Sequence, residues 1–85
     1  MTNEAMTFGD ALVALKDGGR VAREGWNGKG MWITHVAADV GHNEYGEDEY
    51  IVRDYIAMKT VDNQIVPWVA SQTDLLADDW VLVTD

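Results

Sequence analysis

The stretch "MTFGDALVALKDGG", residues 6–19, decides the fold because it carries the clearest helical signal in the chain. Apolar residues recur in it every three or four positions and would form one stripe along a helix; they are Phe8, Ala11, Leu12 and Leu15. Thr7, followed three residues later by an acid, favours a capping-box start, and Gly18 or Gly19 suits the left-handed residue at the end. The segment predicts an amphipathic helix that packs on another element.

Strand signals follow the helix. The alternation in "MWITHVA" (31–37) predicts a strand with apolar side chains on both faces, and we expect it to be covered on both sides. His35 in this strand is better interpreted as a half-buried, hydrogen-bonded histidine than as a catalytic one. "RVAR" (20–23) and "WVLVT" (80–84) predict two further strands.

The second half of the chain contains a predicted hairpin, "YIAMKTVDNQIVPW" (55–68). Asn63 can adopt the positive φ that its turn needs, and Pro67 places the second strand at a sheet edge, because proline cannot donate to a ladder. The acidic, glycine-punctuated stretch 38–50 predicts a long loop, with a disordered segment as the alternative. Together these elements predict an α+β fold, with an N-terminal helix on a small, mostly antiparallel sheet.

Length and composition predict one domain spanning residues 1–85, since the chain has 85 residues, of which 47% are hydrophobic. It has no cysteine, which excludes disulfides and cysteine metal sites. No signal peptide or membrane-spanning segment is evident, so we expect a cytosolic protein. A net charge of −9 disfavours long nucleic acids and leaves a basic protein surface or a small, locally held ligand as partners.

Charge is unevenly distributed along the chain. Four of the six Lys and Arg residues lie within residues 16–29, so an anion site would draw on this region. The stretch Asp39–Asp54 instead holds six acids and one arginine. A solvated face is the ordinary interpretation of such a run.

The heptapeptide "GWNGKGM", residues 25–31, suits a nucleotide and does not resemble core. Glycines allow backbone N–H groups to form an anion-binding nest, Lys29 adds a positive charge, and Trp26 offers a face for a base. Asn27 can read donor and acceptor edges. The spacing matches neither the dinucleotide fingerprint nor the Walker motif, and an ordinary Asn-Gly turn with a core tryptophan remains the alternative.

A second polar cluster, "SQTD", follows Pro67 and three apolar residues. Its side chains could meet a ribose or a base edge; they are Ser71, Gln72, Thr73 and Asp74. The alternative is a helix N-cap. Catalytic signals are weak: His42 could act as a base or bind a metal with Glu44 and Glu47, but nothing fixes such a geometry.

The two clusters, in this order and at this distance, resemble the Thoeris anti-defense 2 family of small phage and prophage proteins. The resemblance covers about residues 8–36 and 55–82 and is carried by "F..AL..LK.G..VAR.GWNGKGM", "Y..MKT" and "PW..SQTDLLA.DW". Residues 37–54 match least.

This resemblance implies a sponge and not an enzyme. Such a protein sequesters a cyclic nucleotide immune signal, a cyclised ADP-ribose isomer, and in some relatives cyclic dinucleotides. It further implies a homotetramer with pockets between protomers, in the cytoplasm of a bacterial host, with no cofactor, catalytic residue or metal. The family's ligand-binding positions map onto Trp26, Asn27, Gly28, Lys29, Gly30, Met31, Ser71, Gln72, Thr73 and Asp74.

Two other function classes stay open. An acidic inhibitor could cover a basic protein surface or mimic nucleic acid through Asp39–Asp54, and reversing its acids would then abolish function. A small nucleotide hydrolase would consume its ligand, and its clustered carboxylates would be the place to look.

Overall fold

A computed structural model describes residues 4–26, 29–42 and 49–84 of the chain. The fold is α+β, as predicted, with a helix followed by an antiparallel sheet. The elements in chain order are α1 (Phe8–Lys16), β1 (Arg20–Arg23), β2 (Trp32–Val36), β3 (Asp39–His42), β4 (Glu49–Val52), β5 (Tyr55–Lys59), β6 (Ile65–Pro67), α2 (Gln72–Leu76) and β7 (Trp80–Leu82).

The main sheet has five antiparallel strands in the order β6-β5-β2-β1-β7. Its longest pairing joins β2 to β5, where Ile33 lies opposite Met58. The predicted hairpin of β5 and β6 is confirmed, and Asn63 in its turn has φ of 63°. Pro67 lies in the edge strand β6, where its missing N–H costs no ladder bond.

The helix α1 packs across one face of the sheet, against β1, β2 and β7. The Thr7 hydroxyl accepts a hydrogen bond from the Asp10 N–H at 3.3 Å, which caps the helix start. Gly18 has φ of 91° and lies just past the helix end, as the sequence predicted. Contact between helix and sheet produces the fully buried core, which comprises Ala11, Leu15, Val21, Ile33 and Trp80.

The opposite face of the sheet differs from the prediction that β2 is covered on both sides. Residues alternate across a strand, so Trp32 and Val36 lie on the face away from the buried Ile33. Among the described residues no helix contacts that face, although the Arg20 guanidinium lies 5.1 Å from the centre of the Trp32 ring. Helix cover is one-sided because α2 is short and packs against α1.

Residues 38–50 were predicted as a loop, and this prediction is wrong for most of the described part. Strands β3 and β4 pair in a separate two-stranded sheet, with Asp39 opposite Val52 and Gly41 opposite Tyr50. We call these two strands the hairpin arm. They contact each other and, within the described residues, no further helix or strand. Apolar and polar residues do not alternate regularly in 39–42 and 49–52, so the sequence carries no strand period that would reveal the arm. Residues 43–48 lie outside the described residues.

The arm meets the main sheet beside His35, which behaves as predicted. Its side chain is half-buried, and its Nε2 lies 2.9 Å from Asp54 Oδ2. The hydrogen bond with His35 lowers the pKa of the Asp54 carboxyl below its ordinary value. None of the described helices has the length and apolar character needed to cross a membrane.

Candidate ligand-binding site

The helix α2 begins with the capping box that the sequence suggested. The Ser71 hydroxyl accepts from the Asp74 N–H at 3.1 Å, and Asp74 Oδ2 accepts from the Ser71 N–H at 3.2 Å. This reciprocal pair satisfies two N–H groups that would otherwise lack partners at a helix start. It fixes Asp74 in one orientation, with its other oxygen, Oδ1, available to the rest of the chain.

Trp26 meets this helix, and its environment corrects the expectation that residues 25–31, here called the site turn, avoid the core. Its indole is half-buried and packs edge-on against Trp80, with ring centres 5.4 Å apart and planes at 80°. The Trp26 Nε1–H points to Asp74 Oδ1 at 3.4 Å. The Nε1 edge of the indole is therefore already occupied by a contact within the protein.

Trp80 is the anchor under both segments. It is fully buried and donates its Nε1–H to the Asp74 carbonyl oxygen at 3.0 Å. Phe8 and Trp68 also contact it, with ring centres 5.3 Å and 6.0 Å away. The aromatic cluster holds the start of α2 and the site turn on the same end of the core.

Arg23, the last residue of β1, joins the same place through two carboxylates. Its Nε donates to Asp79 Oδ1 at 2.8 Å and its Nη1 donates to Asp74 Oδ1 at 2.9 Å. The second oxygen of Asp79 accepts the Gly25 N–H at 2.8 Å. We call Arg23, Asp74 and Asp79 the Arg23 bridge.

The pKa values of Asp74 and Asp79 are both lowered in the folded protein. Partial burial alone would raise the pKa of Asp74, but hydrogen bonds from Arg23, Ser71 and Trp26 outweigh it, and the pKa lies below its ordinary value. The hydrogen bond from Arg23 is the main cause of a lowered pKa at Asp79. Both groups are therefore carboxylates at neutral pH.

The remaining predicted site residues divide into three groups. Ser71, Gln72 and Thr73 are exposed at the start of α2, and Lys29 is exposed on the site turn. Gly30 has φ of 80°, and its carbonyl oxygen accepts from Lys59 Nζ at 2.8 Å, which ties the end of the turn to β5. Met31 is half-buried, and Asn27 and Gly28 lie outside the described residues.

The structure thus brings Trp26 and Asp74 into contact, which unites the two predicted segments. Sequence reasoning missed Arg23 and Asp79. A signal for Arg23 was present, because it shares a strand face with the buried Val21, and a cation on a core-facing position needs an acidic partner. Asp79 gave no such signal, since adjacent acids before a strand are ordinary.

Metal ligation has no support among residues 4–26, 29–42 and 49–84, where no three His, Cys or acidic side chains are placed to hold an ion. Glu44 and Glu47, considered with His42 as a metal site, lie outside the described residues, and the His42 side chain is not described. The expectation of no metal and no cofactor stays a prediction.

Residues 6–83 match the family model described as the Thoeris anti-defense 2-like domain. The chain belongs to this family. It is also 42% identical over 85 residues to Thoeris anti-defense 2 of Bacillus phage SP01, an alignment that covers 93% of this chain and 96% of the relative. The matched range contains both segments of the candidate site.

Family membership supports an anti-defense role for this phage-type protein, directed at the Thoeris system that the family's name states. The resemblance drawn from the sequence motifs is thereby confirmed at the level of the family. The ligand and the assembly are separate matters.

Proposed function

We propose that the protein binds a cyclic nucleotide immune signal and sequesters it without cleavage. The proposed ligand is a cyclised ADP-ribose isomer, with cyclic dinucleotides as a second ligand class. The observation that carries this proposal is the contact of Trp26 with Asp74, which places an aromatic surface beside the polar start of α2. A base stacks on an aromatic surface, and a ribose or a base edge needs polar groups for hydrogen bonds.

The chemistry around this contact suits a small anion. Lys29 is exposed on the site turn and supplies positive charge in a chain of net charge −9. The exposed side chains of Ser71, Gln72 and Thr73 provide hydroxyl and amide groups that both donate and accept. In this proposal Trp26 stacks a base, Asn27 and Lys29 with nearby N–H groups meet phosphate or ribose, and residues 71–74 complete the wall.

Asp74 is the acidic residue in the two segments, residues 25–31 and 71–74, and its hydrogen bonding fits sequestration without reaction. The Asp74 carboxylate accepts hydrogen bonds from Arg23, Trp26 and Ser71, and its pKa is lowered. A general base works best with a pKa near the working pH and a free lone pair for the substrate proton. Asp74 has neither property, so we propose a binding protein and not an enzyme.

We further propose that the protein assembles as a homotetramer, with ligand pockets between protomers. Two surfaces support an assembly. The sheet face opposite α1 carries Trp32, with Tyr55 and Ile65 exposed on the same side. The hairpin arm contacts no other described element, and its Ile51 is 73% exposed. An isolated two-stranded hairpin has marginal stability in water, so contact with a second protomer would stabilise the arm.

The shape of the chain agrees with an extended arm. Its radius of gyration is 15.0 Å and its longest dimension is 49 Å. A compact domain of this length has a radius of about 12 Å. Light scattering after gel filtration would give the mass directly, with a tetramer expected and a monomer contradicting this part of the proposal.

The proposed place of action is the cytoplasm of a bacterial host, for a chain encoded by a phage or prophage. The support is the relative from Bacillus phage SP01. Detection of the chain in the soluble fraction of infected cells would test this.

The decisive experiment is ligand retention. The protein is incubated with the cyclic ADP-ribose signal or with cyclic dinucleotides, freed of unbound ligand, heat-denatured, and its supernatant analysed by mass spectrometry. We expect intact ligand from the wild type and from Val13→Ala, a control at an exposed position of α1. A degraded product would identify a hydrolase, and no retention would contradict the sponge.

A second candidate function is an acidic inhibitor that acts through the region Asp39–Asp54 on a basic protein surface. The separation of the hairpin arm from the sheet favours it, because a projecting acidic element can reach a partner. Reversing Asp39 and Asp54 to lysine would abolish activity against the defense system under this alternative and leave ligand retention intact under the sponge proposal.

A further inference from the structure

We infer that Arg23 is a positioning residue of the proposed ligand site. It holds Gly25 and Trp26, at the start of the site turn, against α2 in the arrangement that receives the ligand, and it does not itself contact the ligand. The inference rests on the proposed function and deepens it. It is carried by the geometry of the Arg23 bridge and by the place of each bridged group in the fold.

The guanidinium acts as a fork between distant segments. Its Nε and Nη1 donate to carboxylates that lie 56 and 51 residues away in the sequence, one before β7 and one in α2. The Arg23 side chain is 17% exposed, and those of Asp74 and Asp79 are 15% and 29% exposed. Both of these donor atoms are therefore committed to holding the protein together.

Each carboxylate then passes the constraint to the site turn. Asp74 Oδ1 also accepts from the Trp26 indole, and Asp79 Oδ2 accepts from the Gly25 N–H. Through these two contacts the bridge holds Gly25 and Trp26, the first two residues of the site turn, and orients the indole. Without it, the start of the turn would keep the packing of Trp26 on Trp80, and its end would keep the bond from Lys59 Nζ to the Gly30 carbonyl oxygen.

Gly25 shows how closely the turn approaches the bridge. A Cβ added to Gly25 would lie 2.8 Å from Asp79 Oδ2 and 3.5 Å from Arg23 Nη2. The first distance is shorter than real Cβ contacts allow, so a side chain here would push the carboxylate away. Glycine at this position permits the short N–H to carboxylate bond.

A lysine would not reproduce this function, although it would keep the charge. One ammonium on a flexible stem is a point charge, whereas the planar guanidinium offers two fixed donors to two different groups. Arg23→Lys therefore separates charge from bridging. Arg53→Lys, at an exposed arginine between β4 and β5, is the matched control.

The test compares ligand association and dissociation rates for wild type, Arg23→Lys and Arg53→Lys, with the cyclic ADP-ribose isomer as the probe. A loosened turn reduces the fraction of protein ready to bind, so we expect association to slow about tenfold while dissociation stays within about twofold. The Trp26 indole resonance, assigned with Trp26→Phe, should move in ligand-free Arg23→Lys and not in Arg53→Lys. A purely structural role would lower the melting temperature and leave both readouts of the folded protein unchanged.

Several outcomes would overturn the inference. Faster dissociation at an unchanged association rate would make Arg23 a ligand contact, and wild-type rates with an unmoved indole resonance would remove its role. If Arg23→Lys does not fold, Asp79→Asn decides, with the same direction of change expected and equal rates counting against the inference. A wild type that retains no ligand overturns the proposed function, and this inference with it, whereas a binding wild type with a neutral Arg23→Lys overturns the inference alone.

Discussion

The site turn and the hairpin arm both lie between strands of the main sheet, yet the fold treats them differently. The site turn is tied down by side chains from distant segments, through Arg23, Asp74, Asp79 and Lys59. The arm is held by its own strand pairing and contacts no other described element. A segment between strands is therefore held in place where side chains of other elements meet it, and it depends on its own pairing where none of the described elements does.

The largest effect that bears on this contrast comes from removing the aromatic side chain that anchors the site turn and, in comparison, one that lies in the arm. We expect Trp80→Ala to cost about 3–5 kcal/mol of unfolding free energy, because it empties the centre of the core. Tyr50→Ala, at a 53% exposed aromatic of the arm, should cost far less. Urea titrations at matched protein concentration would measure both, and equal losses would mean that the arm is part of the core unit.

A second test addresses the site turn alone. Under the proposed function Trp26→Ala should weaken ligand binding by about 1–3 kcal/mol, the usual contribution of one stacked base. Trp26→Phe retains an aromatic face and should lose less. Calorimetric titration of folded variants measures this. Unchanged affinity for Trp26→Ala would remove the stacking role, even if the protein proved to be a sponge.

Acid should weaken the Arg23 bridge, because protonation removes the charge of its two carboxylates. The pKa values of Asp74 and Asp79 are lowered in the folded state, so their stabilising contribution is complete above the ordinary aspartate value of about 3.9. It is lost as pH falls through the lowered folded-state values. Urea midpoints between neutral and acidic pH should decline less steeply in Asp79→Asn than in wild type. The control is Asp78→Asn, an exposed neighbour, and a matching decline in both variants would contradict the prediction.

The smallest expected effect lies in the arm. Ile51→Ser changes a 73% exposed residue and should alter the unfolding free energy by less than about 0.5 kcal/mol in the monomer. Val69→Ser, at an 89% exposed position in the body, is the control. Light scattering shows whether only the first change alters the oligomeric mass. An unaltered mass in both would exclude Ile51 from the proposed assembly.

Hydrogen exchange would sharpen the contrast without a substitution. Amides of β3 and β4 should exchange faster than those of Val21 and Ile33, because exposed hydrogen bonds with few packed neighbours open at low cost. Protection in the arm equal to that of the central strands would indicate that a second protomer covers it.

The fold was largely predictable where its determinants are local. Thr7 and Asp10, Ser71 and Asp74, and the turn at Asn63 each involve residues within four positions of each other, and all were recognised. The hairpin arm was missed because exposed strands carry no period. At the candidate site, sequence reasoning found both segments and kept open whether Trp26 packs in the core, which it partly does.

The sequence by itself determined the helix α1, the helix caps, the pairing of β5 with β6 in a hairpin, and the family. These features depend on residue type at short spacing. Only the tertiary structure decided that Arg23 would meet Asp74 and Asp79 and that Trp26 would lie between Asp74 and Trp80. Those contacts span about half of the chain or more, and their partners become neighbours only when α1 and the sheet bury their common core. A local pattern names the groups available, whereas the packed core determines which of them lie within hydrogen-bonding distance.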